Sequence, residues 1–228
     1  MSDVIQRARQ SKGTSGSAIY EAVATVVGAH HKSGGHLLDV GCGQGSLWPY
    51  LAPHFDTYSG ADVVRYDEFP SHAAFHSIDL DSGGIPLPAG SFDVTCGVET
   101  IEHVENPRAF MRELVRLTKP GGWVVISTPN SLSLLSKATL LVSNEFNAFR
   151  DGSYPAHITA LLEVDLRRIA AESRLTDVRL LFTMLGRVPG TARHWPRHLS
   201  RLFPRALSDN VVLIGRTPIE VGLATLAK

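Results

Sequence analysis

The sequence has only two cysteines, no apolar run of the ~18 residues that a membrane-spanning helix needs, and no net charge. Cys42 and Cys96 are too few for a disulfide framework and fit a reducing compartment, so we expect a cytoplasmic protein. Residues 1–17 lack the apolar core of a signal peptide. Because 22 basic and 22 acidic residues cancel, a global positive field that would attract nucleic acid is excluded.

What is present is ordinary globular composition, with 43% hydrophobic and 19% charged residues in 228. Apolar stretches alternate with helical patterns, which predicts an α/β fold with a parallel sheet. We expect an N-terminal helical arm over 1–30 and a main domain over 31–228, with a helical insertion at about 183–209. Strands are predicted at 36–40, 57–63, 74–78, 92–97, 123–127, 176–182 and 210–216, and helices at 17–30, 46–52, 107–117, 131–143 and 162–173.

A glycine cluster, DVGCGQGS over 39–46, directly follows the first predicted strand and precedes a helix. Glycines at such a position let the backbone approach a ligand, and the helix start offers free N–H groups. The Gly-Lys-[Ser/Thr] of a phosphate-binding loop is absent, and Ser46 stands where a dinucleotide fingerprint has its third glycine. A dehydrogenase is therefore disfavoured, and a tight turn without a ligand is the plain alternative.

Two acidic residues end the next two predicted strands. Asp62 could accept hydrogen bonds from both hydroxyls of an adenosine ribose, or it could simply cap the strand end. Asp79 could accept from the amino group of an adenine. With Asp39 inside the first strand, three carboxylates are predicted at one edge of the sheet.

These residues lie in segments that resemble the class I S-adenosylmethionine-dependent methyltransferases. The segments are LLDVGCGQG at 37–45, FDVTCGVETIEHVENP at 92–107 and LVRLTKPGGWVVISTPN at 114–130. The Glu-Thr-Ile-Glu-His-Val run is most similar to the branch that contains the ubiquinone-biosynthesis O-methyltransferases. The resemblance implies a Rossmann-like seven-stranded sheet, mostly parallel with its last strand antiparallel and helices on both faces. It also implies S-adenosyl-L-methionine as the cofactor and S-adenosylhomocysteine as the product.

Carried over position by position, the resemblance implies a set of cofactor-binding residues. The glycines would line the methionine and ribose, Asp39 would support the loop and reach the methionine ammonium through water, and Asp62 would hold the ribose. Asp79 and Leu80 would bracket the adenine. The implied set is Asp39, Gly41, Cys42, Gly43, Gly45, Asp62, Val63, Asp79, Leu80, Gly97, Val98 and Glu99.

Glu99, Glu102 and His103 are the first candidates for catalysis. If Glu99 begins a helix, their i, i+3, i+4 spacing puts all three on one face. His103 would then be a base oriented by a carboxylate, or the cluster would hold a divalent metal, as in some relatives of this branch, or it would be structural. His157, in the loop before the helix at 162–173, is the second candidate. We assign catalysis to His103 and His157, assign no residue as a metal ligand, and leave a divalent metal open.

The predicted function is methyl transfer to a small-molecule acceptor, with O-methylation favoured. N- or C-methylation and a noncatalytic S-adenosylmethionine-binding role are the alternatives. No nucleic acid is expected, because the Asn/Asp-Pro-Pro-aromatic motif of amino-methylating DNA enzymes is missing after Gly97. Arg197, Arg201 and Arg205 recur every four residues. They would recognise an anionic acceptor, contact a membrane surface peripherally, or form a solvated face; a sugar acceptor is also considered.

Overall fold

A seven-stranded sheet organises the protein, which we describe from a computed structural model for residues 3–219. The strand order is β3-β2-β1-β4-β5-β7-β6. Only β7 runs antiparallel to its neighbours, β5 and β6, which confirms the expected mostly parallel sheet. The strands are β1 (His36–Val40), β2 (Thr57–Asp62), β3 (Ala74–Ser77), β4 (Phe92–Val98), β5 (Thr118–Pro129), β6 (Thr176–Phe182) and β7 (Asn210–Arg216).

Helices cover both faces of the sheet because alternate residues of its central strands are buried in opposite directions. On β5, Val124 and Ile126 pack in the cluster with α4 and α6, whereas Val125 packs in the cluster with α2 and α3. The helices are α1 (Asp3–Gln10), α2 (Ser17–His30), α3 (Trp48–Leu51), α4 (Pro107–Leu117), α5 (Leu134–Ser143), α6 (Glu163–Glu172) and α7 (Arg197–Leu202). None of the helices within 3–219 is long and apolar enough to cross a membrane.

Several elements begin and end where the sequence predicts, among them β1, β6, β7, α2 and α4. β5 is longer than the predicted 123–127, because the Pro-Gly-Gly segment continues beside β4 as an irregular strand with a register shift. α3 is shorter than the predicted 46–52, and the chain continues as a 3-10 turn over Ala52–His54. Pro53 lies in that turn and has no N–H with which to continue an α-helical ladder.

Hydrogen bonds fasten α1 to the rest of the molecule. The Tyr66 hydroxyl donates to the Ala8 carbonyl at 2.8 Å, and Gln10 Nε2 donates to the Tyr154 carbonyl at 2.9 Å. Within the predicted arm, Asp3–Gln10 and Ser17–His30 are helical. The division into an arm over 1–30 and a domain over 31–228 stays a prediction. Its outer ends, residues 1–2 and 220–228, lie outside the described residues.

Arg197, Arg201 and Arg205 do not all lie on one helix. α7 is only six residues long and ends before Pro204, so Arg205 lies outside it. The Arg205 guanidinium pairs instead with Glu163, with Nε 2.7 Å from Oε2. Only Arg197 and Arg201 therefore share the helix.

Candidate functional site

The carboxyl ends of the parallel strands open into a cavity of about 200 Å³, which we call the first cavity. This edge of an open α/β sheet is where ligands bind in such folds, since loops after neighbouring strands meet there. The predicted site residues that line it are Asp39, Gly41, Cys42, Asp62, Val63, Leu80, Val98, Glu99, His103 and His157. The fold thus brings most of the predicted residues together.

The glycine loop takes a conformation that side chains would obstruct. Gly41 has φ +75°, and a Cβ there would collide with the side chain of Thr100. Gly43 has φ +50°, and a Cβ there would collide with the backbone of Gly13. Both glycines are therefore required by close approach as well as by backbone conformation. The glycine loop therefore packs closely against both the segment after β4 and the segment after α1.

Asp62 holds this loop from the end of β2. Its Oδ2 accepts from the Gly43 N–H at 2.9 Å, and its Oδ1 accepts from the Val64 N–H at 3.2 Å. Burial raises the pKa of Asp62, and these N–H donors oppose that effect. Each carboxylate oxygen keeps a further lone pair. Asp62 can therefore accept hydrogen bonds from a ligand without releasing the loop.

Asp39 is a buried carboxyl group, only 3% exposed, in the wall of the same cavity. The Tyr58 hydroxyl donates to its Oδ2 at 3.1 Å, whereas its Oδ1 has no hydrogen-bond partner among the described residues. Burial raises the pKa of Asp39 to about 7. A buried carboxylate without full compensation is costly, so this wall suits a ligand that brings a cationic, hydrogen-bond-donating group.

Gly43, Gly45, Asp79 and Gly97 do not line the first cavity. A Cβ on Gly97 would meet Phe110, so this glycine allows α4 to approach β4. Asp79 Oδ1 accepts from the Asp81 N–H at 2.9 Å and so holds a turn. The acidic side chain that reaches the cavity from this turn is that of Asp81.

The arm supplies a wall of the cavity that the sequence reasoning missed. Val4, Arg7 and Ala8 line the cavity from α1, and Ser11 lines it from the residue directly after this helix. Arg7 Nη2 lies 2.6 Å from Asp81 Oδ2, and the two side chains are 9% and 13% exposed. This pair fastens the arm across the opening. The i, i+3, i+4, i+7 spacing of the four residues is a helical stripe, a signal that could have revealed the arm's inner face.

The α-helix that would put Glu99, Glu102 and His103 on one face does not form. Glu99 has φ +50°, and a single 3-10 turn follows over Ile101–His103, so no α-helical face collects the three side chains. Glu99 turns instead toward the neighbouring strands. Its Oε1 accepts from the Ser127 hydroxyl at 2.8 Å, and its Oε2 accepts from Asn210 Nδ2 at 2.7 Å. Burial raises the Glu99 pKa.

The two candidate histidines are in contact, with ring centroids 4.8 Å apart. Nδ1 of His103 lies 2.7 Å from the Ala156 carbonyl, and Nδ1 of His157 lies 2.7 Å from the Ala148 carbonyl. A carbonyl only accepts, so each Nδ1 carries the proton and each neutral ring keeps a free lone pair on Nε2. Burial lowers the pKa of His103 to about 4 and also lowers that of His157.

Glu102 completes a cluster with these rings. It is fully buried, and neither of its carboxylate oxygens has a hydrogen-bond partner within 3–219. Burial and the nearby Glu99 raise its pKa well above the usual range. One ligand atom each from Glu102, His103 and His157 lie within 4.8 Å of one another. A carboxylate with two imidazoles suits a divalent ion such as Zn²⁺, so this cluster, and not the predicted helix face, is the group that could hold a metal.

A second cavity, of about 940 Å³, adjoins the first. Glu99 and His157 line both cavities. The cysteines offer no nucleophile, because both are buried and burial raises the pKa of each thiol. The chemistry available at the boundary therefore comes from a carboxyl group and an imidazole.

Comparisons with known proteins agree with this geometry. Residues 16–180 match a family described as a methyltransferase domain. A protein of Mycolicibacterium smegmatis named as a probable S-adenosylmethionine-dependent methyltransferase is 29% identical over 184 residues, 79% of this chain and 68% of that protein. The ubiquinone biosynthesis O-methyltransferase of Thiobacillus denitrificans is 36% identical over 107 residues, 43% of this chain and 46% of that enzyme. The chain thus spans less than half the length of this second relative.

Solved structures share the fold. A S-adenosylmethionine-dependent methyltransferase from Archaeoglobus fulgidus is 16% identical with a TM-score of 0.59, over 87% of this chain and 94% of that one. An S-adenosylmethionine-dependent methyltransferase from Mesorhizobium loti is 15% identical with a TM-score of 0.57, over 88% of this chain and 98% of that one. At such identities the likeness concerns architecture only.

Proposed function

This chain belongs to the methyltransferase-domain family, as an S-adenosylmethionine-dependent enzyme, and from that premise we propose that it methylates an oxygen atom of a small-molecule acceptor. The observation that carries the proposal is that Glu99 and His157 line both cavities. Two ligands held in the two cavities would meet at these side chains. Relatives named as O-methyltransferases support oxygen as the accepting atom.

In this proposal the first cavity holds S-adenosylmethionine. Asp62 binds the ribose hydroxyls while it holds the loop, and the unpartnered Oδ1 of Asp39 faces the methionine ammonium. Both roles fit observed features, namely the free lone pairs of Asp62 and the orphaned oxygen of a buried carboxyl group. Gly41 and Cys42 contribute loop backbone, and Val63 and Leu80 flank the adenine. Asp79 supports the adenine side through its turn.

When bound, S-adenosylmethionine supplies an electrophilic methyl group, so the protein's main task is to position the acceptor. A hydroxyl acceptor must also lose its proton to a base. The free Nε2 of His157 is better placed for this than that of His103, because His157 lines the acceptor side as well. His103, whose pKa is about 4, is the weaker base and supports His157 by contact. A general base contributes about 10²–10⁴-fold to such a step.

The test uses S-adenosylmethionine with an isotope-labelled methyl group. After incubation with candidate acceptors, NMR of the product distinguishes O-, N- and C-methyl groups. An O-methyl product supports the proposal, whereas an N- or C-methyl product contradicts its choice of atom. Cofactor binding without any transfer would favour a noncatalytic S-adenosylmethionine-binding role.

The role of the histidines is tested in the same assay. We expect His157→Ala to lower kcat by about 10²-fold or more while the affinity for S-adenosylhomocysteine changes little. His103→Ala should lower kcat less. His198→Ala, at an exposed position of α7, is the matched control. A normal kcat in both cavity variants would show that positioning alone drives the transfer and that neither histidine is catalytic.

A further inference from the structure

We propose that the second cavity binds an uncharged, polyhydroxylated acceptor of the sugar or glycoside class. This inference rests on the proposed function, since it takes the second cavity as the acceptor site. It goes further by choosing among acceptors, because an anionic compound or one with a long apolar chain would serve the same methyl-transfer chemistry.

The wall of the second cavity is mainly polar in its residue types. Of the nineteen residues that line it, fourteen have polar or charged side chains. The apolar side chains among them are those of Ile19, Pro129 and Ala148. Small-molecule sites are usually lined mainly by hydrophobic and aromatic groups, with a few polar groups for orientation. By residue type this wall has the reverse balance, which favours a ligand that can form many hydrogen bonds.

The charged groups of the wall disfavour an anionic ligand. The wall carries four carboxyl groups and two guanidinium groups, those of Glu99, Glu145, Asp151, Asp209, Arg150 and Arg187. Arg187 is engaged within the wall, with its Nε 3.1 Å from Asp209 Oδ2. Arg150 is exposed and has Asp151 next to it in the chain. The excess of carboxyl groups disfavours an anion, and Arg197, Arg201 and Arg205 do not line this cavity.

The wall of the second cavity also contains neutral side chains that can form hydrogen bonds with a ligand. Asn147 and Ser153 are half-buried in the wall, and within the described chain their side chains make no hydrogen bond. Ser131 is 3% exposed, and its hydroxyl has no partner among residues 3–219. Hydroxyl and amide groups both donate and accept, as sugar hydroxyls do. A polyol would satisfy these groups, whereas an apolar ligand would leave them without hydrogen-bond partners.

The boundary with the first cavity fits a hydroxyl that is to be methylated. Glu99 lies there with its carboxyl group fixed by Ser127 and Asn210. Because both carboxyl oxygens of Glu99 are already held, a sugar hydroxyl would find a hydrogen-bond acceptor in a fixed orientation. His157 lies on the same boundary with its Nε2 free. One hydroxyl of a polyol could then be presented while the others bind the wall.

The experiment is saturation-transfer NMR on the full chain with S-adenosylhomocysteine bound. Binding of S-adenosylhomocysteine is first measured by calorimetry, so that failure of the cofactor site is recognised separately. The probes are neutral methyl glycosides, a methyl hexuronide as the anionic arm, and a catechol with a prenyl chain as the apolar arm. The variants are Asn147→Leu and Ser153→Val, with Ser71→Val as the control at an exposed position outside the cavity.

We expect signals from the neutral glycosides that fall at least threefold in Asn147→Leu and Ser153→Val and stay unchanged in Ser71→Val. Weaker signals are expected from the hexuronide. The proposal is overturned if no neutral glycoside gives a signal, if the two cavity variants bind glycosides like the control, or if the prenylated catechol or the hexuronide binds best. In each of those cases intact S-adenosylhomocysteine binding would leave the proposed methyl transfer standing.

Discussion

Replacing Asp39 by Asn should flatten the pH dependence of the protein's stability. The Asp39 pKa is about 7 in the folded protein because of burial, against an ordinary value of 3.8 for an exposed aspartate. A carboxyl group whose pKa is raised by folding stabilises the fold fully below the unfolded pKa and loses that contribution as the pH rises through the folded value. At pH 8 the ionised group therefore costs about 4 kcal/mol relative to its protonated form at low pH.

Between pH 5 and pH 8 this linkage amounts to about 2.5 kcal/mol of the free energy of unfolding. Asn cannot ionise. Between pH 5 and pH 8 the variant should therefore lose about 2.5 kcal/mol less stability than the wild type. Asn also places an amide donor where Asp39 Oδ1 has no partner, which lowers stability at both pH values alike. The difference between the two pH values is therefore the informative quantity.

The assay is chemical denaturation of the cofactor-free protein at pH 5 and pH 8, with Asp67→Asn as an exposed control. Tyr58→Phe gives a second check, because its hydroxyl donates to Asp39 and lowers that pKa. Its loss should raise the Asp39 pKa further. If Asp39→Asn and wild type lose the same stability between pH 5 and pH 8, the buried carboxyl group does not titrate as described.

Three further predictions concern ligand binding. Asp62→Ala should weaken S-adenosylhomocysteine binding about tenfold or more in calorimetry, since one charge-assisted hydrogen bond is worth about 1.5–3 kcal/mol; unchanged affinity would remove Asp62 from the site. Arg7→Gln breaks the pair with Asp81 and should speed S-adenosylhomocysteine dissociation several-fold in stopped-flow measurements; an unchanged rate would show that α1 does not hold the ligand in. Replacing Arg197 and Arg201 together by Gln should leave acceptor KM unchanged at low and high salt, because neither residue lines either cavity; a raised KM at low salt would restore an anionic acceptor.

The sheet was predictable because its central strands are rich in apolar residues, and β1, β2 and β4 each end at or just before a glycine or an acidic residue at the ligand edge. The same logic located Asp39 and Asp62, whose positions follow directly from the strands that carry them. Contacts between distant segments were not predictable in this way. Asn210 reaches Glu99 across 111 positions of sequence, and Arg7 reaches Asp81 across 74. Neither contact produces a recognisable spacing of residues in the local sequence.

Glu99 does not begin a helix, and the cause is local. The i, i+3, i+4 spacing of Glu99, Glu102 and His103 fits a helix, but Glu99 adopts φ +50° and its N–H donates to the Ser127 carbonyl at 3.1 Å. This hydrogen bond extends the contact between β4 and β5 by one residue, to Glu99. The 3-10 turn that follows is too short to form a helical face. Tertiary hydrogen bonds thus outweighed a side-chain pattern that was itself correct for a helix.

A crystal structure of the full chain with S-adenosylhomocysteine tests the proposed cofactor site most directly. We expect the ligand in the first cavity, with its ribose hydroxyls hydrogen-bonded to Asp62, its amino group at Asp39 and its sulfur toward Glu99 and His157. A ligand bound outside this cavity, or one whose ribose lies away from Asp62, would contradict this assignment.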